Sequence, residues 1–271
     1  MSRFGLDALR LWPRPRVLIS LAPRAVEMTA VSWRGAGRRR ERGECGEHAA
    51  GAPAWAPPLA VLQAMLRGGT WGAARATFVL SDRLVRHALI PADLGIHRAG
   101  EQLAYVRHLY RADFGAAVDE WRIVVDTDGA GTGFACAIDA GLYSGLRRAC
   151  AEAGLELASL VPRCAAAQAR WSRRLPRRPL WFVAVEAGQA TAALFDGRTW
   201  REVLAARCTD AAEMPSTELI CDALRQHALG RQAMQTVRSL WVAGPAAAVS
   251  QMRFPGTWDA HLLADALPGG A

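Results

Sequence analysis

Lysine is absent from this 271-residue chain, and all 33 of its Lys+Arg positions are arginines. A Walker A phosphate loop needs its lysine to reach the β/γ-phosphates, so that loop is excluded. Protein kinases, Schiff-base enzymes and Ser-x-x-Lys acyl transferases are excluded on the same ground. Long apolar runs are missing too. No stretch of about 18 uncharged apolar residues occurs, so no spanning helix is expected. The apolar run 17–22 follows Arg14 and Arg16 and is fenced by Pro13, Pro15 and Pro23. It is shorter than a signal-peptide core of about 7–15 residues and reads as a buried strand. The six cysteines (Cys45, Cys136, Cys150, Cys164, Cys208, Cys221) include no Cys-x-x-Cys pair, and the six histidines show no zinc-ligand spacing. No metal site is expected. Isolated cysteines of this kind act as small buried hydrophobes in a reducing compartment, which points to the cytoplasm.

With 51% hydrophobic and 21% charged residues, the composition is that of a globular protein. At about 150 residues per domain the length suggests roughly two domains. The formal net charge is +8.

Hydrophobic periodicity predicts strands over 17–21 and 25–33, joined at Ala22-Pro23-Arg24. Residues 34–58, rich in Gly, Arg, Pro and Ala, read as a loop. A helix over 58–67 stops at Gly68 and Gly69, and a strand follows over 75–80. The next segment offers a strand over 82–90, a helix over 100–114 and a hairpin of strands 121–125 and 134–138. A helix over 140–153, a strand over 155–161 and a helix over 163–172 complete it. The arginine- and proline-rich segment 173–179 is the clearest boundary. Beyond it lie a meander over 180–186, 190–195 and 200–205, an amphipathic helix over 215–229, a strand over 238–243 and a weakly patterned tail over 254–271. The reading is of two similar α/β halves, 1–175 and 176–271, with a small module over about 82–160 inserted in the first.

Several constellations favour bland explanations. The glycines Gly129, Gly131 and Gly133 follow a strand as a phosphate cradle would, but a cradle must open a helix, whereas here a strand follows. Asp126 and Asp128 begin a calcium-like loop whose later ligands are missing. Ser144 is out of register for a nucleophile elbow between Gly141 and Gly145. The arginine clusters 38–40 and 173–178 read as a solvated loop and linker, with contact to a membrane surface or an acidic partner as the next reading. No nucleic-acid-binding module accompanies them. Trp121, Trp181 and Trp241 fall on strands and read as core. Trp12, Trp55, Trp71 and Trp258 fall at loops or ends, where an exposed aromatic can anchor a partner.

Four pieces carry a resemblance through their order and spacing: 78–91, the helix-then-strand of 101–126, the strand, helix and turn of 134–155, and the hairpin of 181–197. Together they resemble the actin-like ATPase superfamily, and most of all the PilM family of type IV pilus assembly proteins and the cytoplasmic domain of the GspL family of type II secretion. The resemblance covers about residues 17–250 and implies an actin-like (ribonuclease H-like) two-lobe α/β (α+β) fold with a small inserted α/β subdomain in the first lobe. Pilus-type relatives run longer, so it also implies a shortened second lobe. GspL-type relatives carry a spanning helix and a periplasmic domain that have no counterpart in these 271 residues.

Actin-like ATPases hold phosphates between two hairpins, each an aspartate followed by a glycine turn. Glycine lets backbone N–H groups approach phosphate oxygens, and the acid positions Mg²⁺ or the attacking water. At the first hairpin this chain has Ser20 in place of the acid and Ala22-Pro23 in place of the glycine turn, and Pro23 has no N–H to donate. The second hairpin keeps Glu186 and Gly188. Gly244 resembles the adenosine-side glycine, with Pro245 where a second glycine is usual. The resemblance therefore implies a degenerate nucleotide site at Glu186, Gly188 and Gly244, no catalytic residue, and a pseudo-ATPase that needs no cofactor. It further implies a cytoplasmic scaffold at the inner membrane. Its partners would be the cytoplasmic tail of a single-span pilus or secretion protein, the pilus or secretion ATPase, and a second copy through the inserted subdomain. The alternatives are a working ATP/Mg²⁺-binding ATPase of the same superfamily and an arginine-rich nucleic-acid binder.

Overall fold

The computed structural model describes residues 16–31, 38–46, 51–69, 71, 74–127, 132–197, 199–210, 212–229, 231, 234 and 236–265. The first part of the chain forms β1 (Arg16–Ala22), β2 (Ala25–Val31), β3 (Arg38–Glu44), α1 (Ala56–Arg67) and β4 (Arg75–Leu80). There follow β5 (Arg86–Ile90), α2 (Ala99–Phe114), β6 (Trp121–Thr127), β7 (Gly133–Asp139), α3 (Ala140–Glu152), β8 (Glu156–Pro162) and α4 (Arg163–Trp171). The rest is β9 (Leu180–Glu186), β10 (Gln189–Asp196), β11 (Thr199–Arg207), α5 (Thr217–Ala228), β12 (Ser239–Pro245), α6 (Ala246–Val249) and β13 (Asp259–Asp265).

Two five-stranded sheets share one plan, with orders β3-β2-β1-β4-β8 and β11-β10-β9-β12-β13. In each, a three-strand antiparallel meander continues into two parallel strands. Antiparallel neighbours need only tight turns, whereas parallel ones need crossovers, here supplied by helices such as α1 and α5. The turn from β9 to β10 is Ala187-Gly188, and Gly188 sits at φ +79°, a conformation that side chains other than glycine rarely adopt. All seven residues of β9 are buried, and the first six, 180–185, form an unbroken apolar run that ends at Glu186. One core crosses both sheets, joining Ile19 and Phe78 to Phe182 and Phe195. Small residues on α4 (Cys164, Ala165, Ala166, Ala167) sit in that core and let the helix pack against β4, β8 and β9. A three-stranded antiparallel sheet, β5-β7-β6, is covered by α2 and has its own small core of Ile90, Val106, Tyr110, Val118, Ala135 and Ala137. Among the described residues no helix is long and apolar enough to cross a membrane.

Four local expectations are corrected. Residues 38–44, read as part of a loop, form the edge strand β3. Its run of charges hides the alternation that places Arg40 and Arg42 on Glu27, which is buried in β2, at 2.9 and 3.3 Å. The tail contributes β13, a weakly apolar outer strand beside β12. Residues 82–90 are split, with a 3-10 turn over Asp82–Leu84 before β5. The strand β8, placed inside the inserted module by the sequence reading, pairs with β4 in the first large sheet, so the small sheet takes its strands only from 86–139. Two tryptophans expected at exposed positions are also inward. Trp71 is buried and donates its indole N–H to the Leu66 carbonyl at 2.9 Å, and Trp258 packs on the core of the second sheet. Trp12 lies outside the described residues, as do 128–131 of the glycine-rich hairpin loop.

Glu27 is the charged group that β3 is built around. Glu27→Gln keeps its shape and removes its charge. Because both arginines are about half exposed, the expected loss is only about 1–2 kcal/mol. Amide exchange should accelerate over 38–44 while β9 and β10 keep their protection, and an equal loss across both sheets would show that the edge strand is not held by this pair.

Candidate functional site

The end of β4 meets the end of β9 where the two large sheets adjoin, and the meeting is polar. Ser81 continues the β-ladder, donating its N–H to the Leu21 carbonyl at 2.9 Å, and its hydroxyl caps the following turn by accepting from the Arg83 N–H. Asp82, 1% exposed, then makes three contacts. Its backbone N–H donates to Glu186 Oε1 at 2.8 Å, its Oδ2 accepts the Cys164 N–H in the first turn of α4 at 2.9 Å, and its Oδ1 lies 3.1 Å from His87 Nε2 on β5. The His87 ring stacks on Phe134 of β7, and Phe134 stacks in turn on Trp200 of β11, with centroids 5.5 and 4.2 Å apart. Two sulfurs flank the same ring, Cys136 Sγ 3.6 Å from Nδ1 and Cys164 Sγ 3.8 Å from Nε2. Arg163, 3% exposed, supplies a buried positive charge.

Burial dominates the protonation of this cluster. It raises the Glu186 carboxyl to about 8, with the Asp82 charge acting in the same direction, while Arg163 and the donors at Ser81 and Asp82 pull it back. Burial, followed by Asp82, also holds Cys136 and Cys164 well above the ordinary thiol range, so both are thiols and poor nucleophiles as they stand.

The three residues singled out in the sequence do not converge on one cavity. Glu186 closes β9 with its carboxylate turned inward to Asp82, and it is 5% exposed. Gly188 donates its N–H to the Glu213 carbonyl at 2.6 Å, so this turn amide is engaged within the chain. Gly244 is a packing glycine: a Cβ there would stand 3.2 Å from both Val185 and Val249 side chains. Ser20 is buried on β1. Beside them an open groove of about 600 Å³ is walled by Ala187, Pro215, Ser216, Pro245, Gln251 and Arg253. Its rim therefore carries the sequence neighbours of Glu186, Gly188 and Gly244.

Sequence reasoning missed Asp82, His87, Cys136, Arg163 and Cys164. No spacing rule could have found them, since His87 and Cys164 are 77 residues apart. Asp82, His87 and Cys164, which no sequence spacing brings together, offer donor atoms that all lie within 4.8 Å of one another.

No family model and no curated protein matches this chain. Solved structures do match it. A Bacteroides thetaiotaomicron protein described as having an actin-like ATPase fold and unknown function is 11% identical, with a TM-score of 0.58 over 87% of this chain and 84% of its own. The cytoplasmic domain of EpsL, an inner-membrane component of the type II secretion system of Vibrio cholerae, is 11% identical, with a TM-score of 0.56 over 93% and 90%. The PilM-PilN type IV pilus biogenesis complex matches at 16% identity, with a TM-score of 0.61 over 92% and 88%. The chain has the actin-like ATPase fold, as its sequence resemblance implied.

A carboxyl whose folded-state pKa lies above its unfolded value favours folding while protonated. That contribution is complete below about pH 4.5 and is lost as pH rises through about 8. In EDTA-containing buffer, the urea midpoint of the native protein should therefore fall relative to Glu186→Gln across this window. Parallel midpoint profiles would show that the carboxyl is not perturbed.

Proposed function

We propose that this chain is a non-hydrolysing actin-like scaffold of a type IV pilus or type II secretion assembly platform. It would sit at the cytoplasmic face of the inner membrane and bind the cytoplasmic tail of a single-span membrane partner beside the pilus or secretion ATPase. The observation that carries the reading is the hydrogen bond from the Asp82 N–H to Glu186. The one acid retained at the two phosphate hairpins is engaged inside the protein, and Pro23 gives the opposite hairpin no N–H at its turn. Likeness of fold to EpsL and to PilM in its complex with PilN supports the assembly role.

The rival ATPase reading draws on the groove of about 600 Å³ beside the second hairpin. Nucleic-acid binding is less favoured, because Arg40 and Arg42 face Glu27 and Arg178 faces Asp259 at 2.9 Å.

Calorimetric titration separates the readings. Cytoplasmic tails of single-span proteins encoded beside this gene should include one that binds with saturable heat, while ATP-Mg²⁺ gives none. Saturable ATP-Mg²⁺ binding that weakens in Glu186→Ala would replace the scaffold with a nucleotide-dependent protein, and failure of every such tail would remove the assembly role.

A further inference from the structure

We propose that Asp82, His87 and Cys164 form a buried, three-donor transition-metal site of the zinc type, which staples the small sheet to the junction of the two large ones. The inference is independent of the scaffold reading and holds whether or not nucleotide binds.

The donors come from three elements that the fold brings together: the turn after β4, strand β5 and the first turn of α4. Asp82 Oδ1 lies 3.1 Å from His87 Nε2, and Cys164 Sγ lies 3.8 Å from the same nitrogen. A tetrahedral zinc ion, bound at about 2.0 Å by nitrogen and oxygen and about 2.3 Å by sulfur, spaces such donors roughly 3.3–3.5 Å apart. The two edges that meet at Nε2 already have those dimensions to within a few tenths of an ångström, and the third is under 4.8 Å.

Hydrogen bonds hold the cluster together without an ion, and the same atoms are placed to take one in exchange for their protons. Nε2 carries either one proton or one lone pair, yet both the carboxylate and the sulfur address it. If Nε2 is protonated it can donate to the Asp82 carboxylate, and the Cys164 thiol donates to the same carboxylate. If it is not, the thiol can donate to it, and the carboxylate faces a lone pair. A single cation among the three serves all of them at once.

The donors are also pre-aligned. The Cys164 N–H fixes Asp82 through Oδ2, leaving Oδ1 for the ion, while stacking on Phe134 clamps the imidazole plane. Cys136 stands against Nδ1 at 3.6 Å, as an outer partner that sets the ring's orientation.

A divalent ion would be met by the Asp82 carboxylate and by the Cys164 thiolate formed as the ion displaces its proton. A mixed nitrogen, sulfur and oxygen set selects zinc over magnesium or calcium, which prefer oxygen alone. The His87 and Asp82 side chains are 7% and 1% exposed and Cys164 is 1% exposed, so the ion would enter as the chain folds.

The test uses the full chain without a histidine tag. It is unfolded in chelator, refolded with equimolar Zn²⁺ or Co²⁺, desalted and assayed for metal by mass spectrometry. About one ion per chain should be retained, and the Co²⁺ form should show a thiolate charge-transfer band that zinc abolishes. Cys164→Ser and His87→Ala should weaken zinc binding more than about 100-fold, and Cys136→Ser should keep the full stoichiometry. The cobalt spectrum of the native chain stands as a readout even where a variant fails to fold. No retained metal, a cobalt spectrum without the thiolate band, or stoichiometry unchanged in Cys164→Ser would each overturn the site, the last by placing the ion elsewhere on the protein.

Discussion

One buried aspartate holds the centre of this molecule. Asp82 reaches β9 through its backbone N–H, α4 through Oδ2 and β5 through Oδ1, so the end of β4 is tied to three other elements by one residue. A carboxylate can be kept at 1% exposure only when its lone pairs are met, and here donors from separate parts of the chain meet them. The arrangement also explains the state of Glu186. Two acids share a dry junction containing Arg163, and one of them is driven toward its neutral form.

The repeat of sheet order in the two halves follows from chain logic that is visible in the sequence. Each half opens with a hairpin that closes through a short turn, and each reaches its parallel strands through helical crossovers. The continuous apolar run at 180–185 and the helix stop at Gly68 are therefore legible without coordinates. What escaped was carried by charge instead of hydrophobicity. Strand β3 is written almost entirely in Arg and Glu, and its pairing is intelligible only once Glu27 is known to lie buried beneath Arg40 and Arg42. The strand β13 escaped because an outer strand beside a parallel neighbour needs little apolar alternation.

The candidate site was legible only in part. Glu186, Gly188 and Gly244 were found because the resemblance supplied a pattern for hairpins, and the structure keeps each at a hairpin or strand end. Their orientation was not written in the sequence: Glu186 turns away from the groove and Gly244 serves packing. Asp82, His87, Cys136 and Cys164 were invisible for another reason. Cysteines scattered through a chain read as small hydrophobes, and only the fold reveals that two of them flank one imidazole.

The aromatic column from His87 through Phe134 to Trp200 continues to Phe195, whose ring centroid is 4.5 Å from that of Trp200. Four strands from the small sheet and the second large sheet thus share one run of close-packed rings, the first three stacked and the last tilted by 54°. Through those contacts the small sheet leans on β10 and β11, so its position is set by the far half of the molecule as well as by the lobe into which it is inserted.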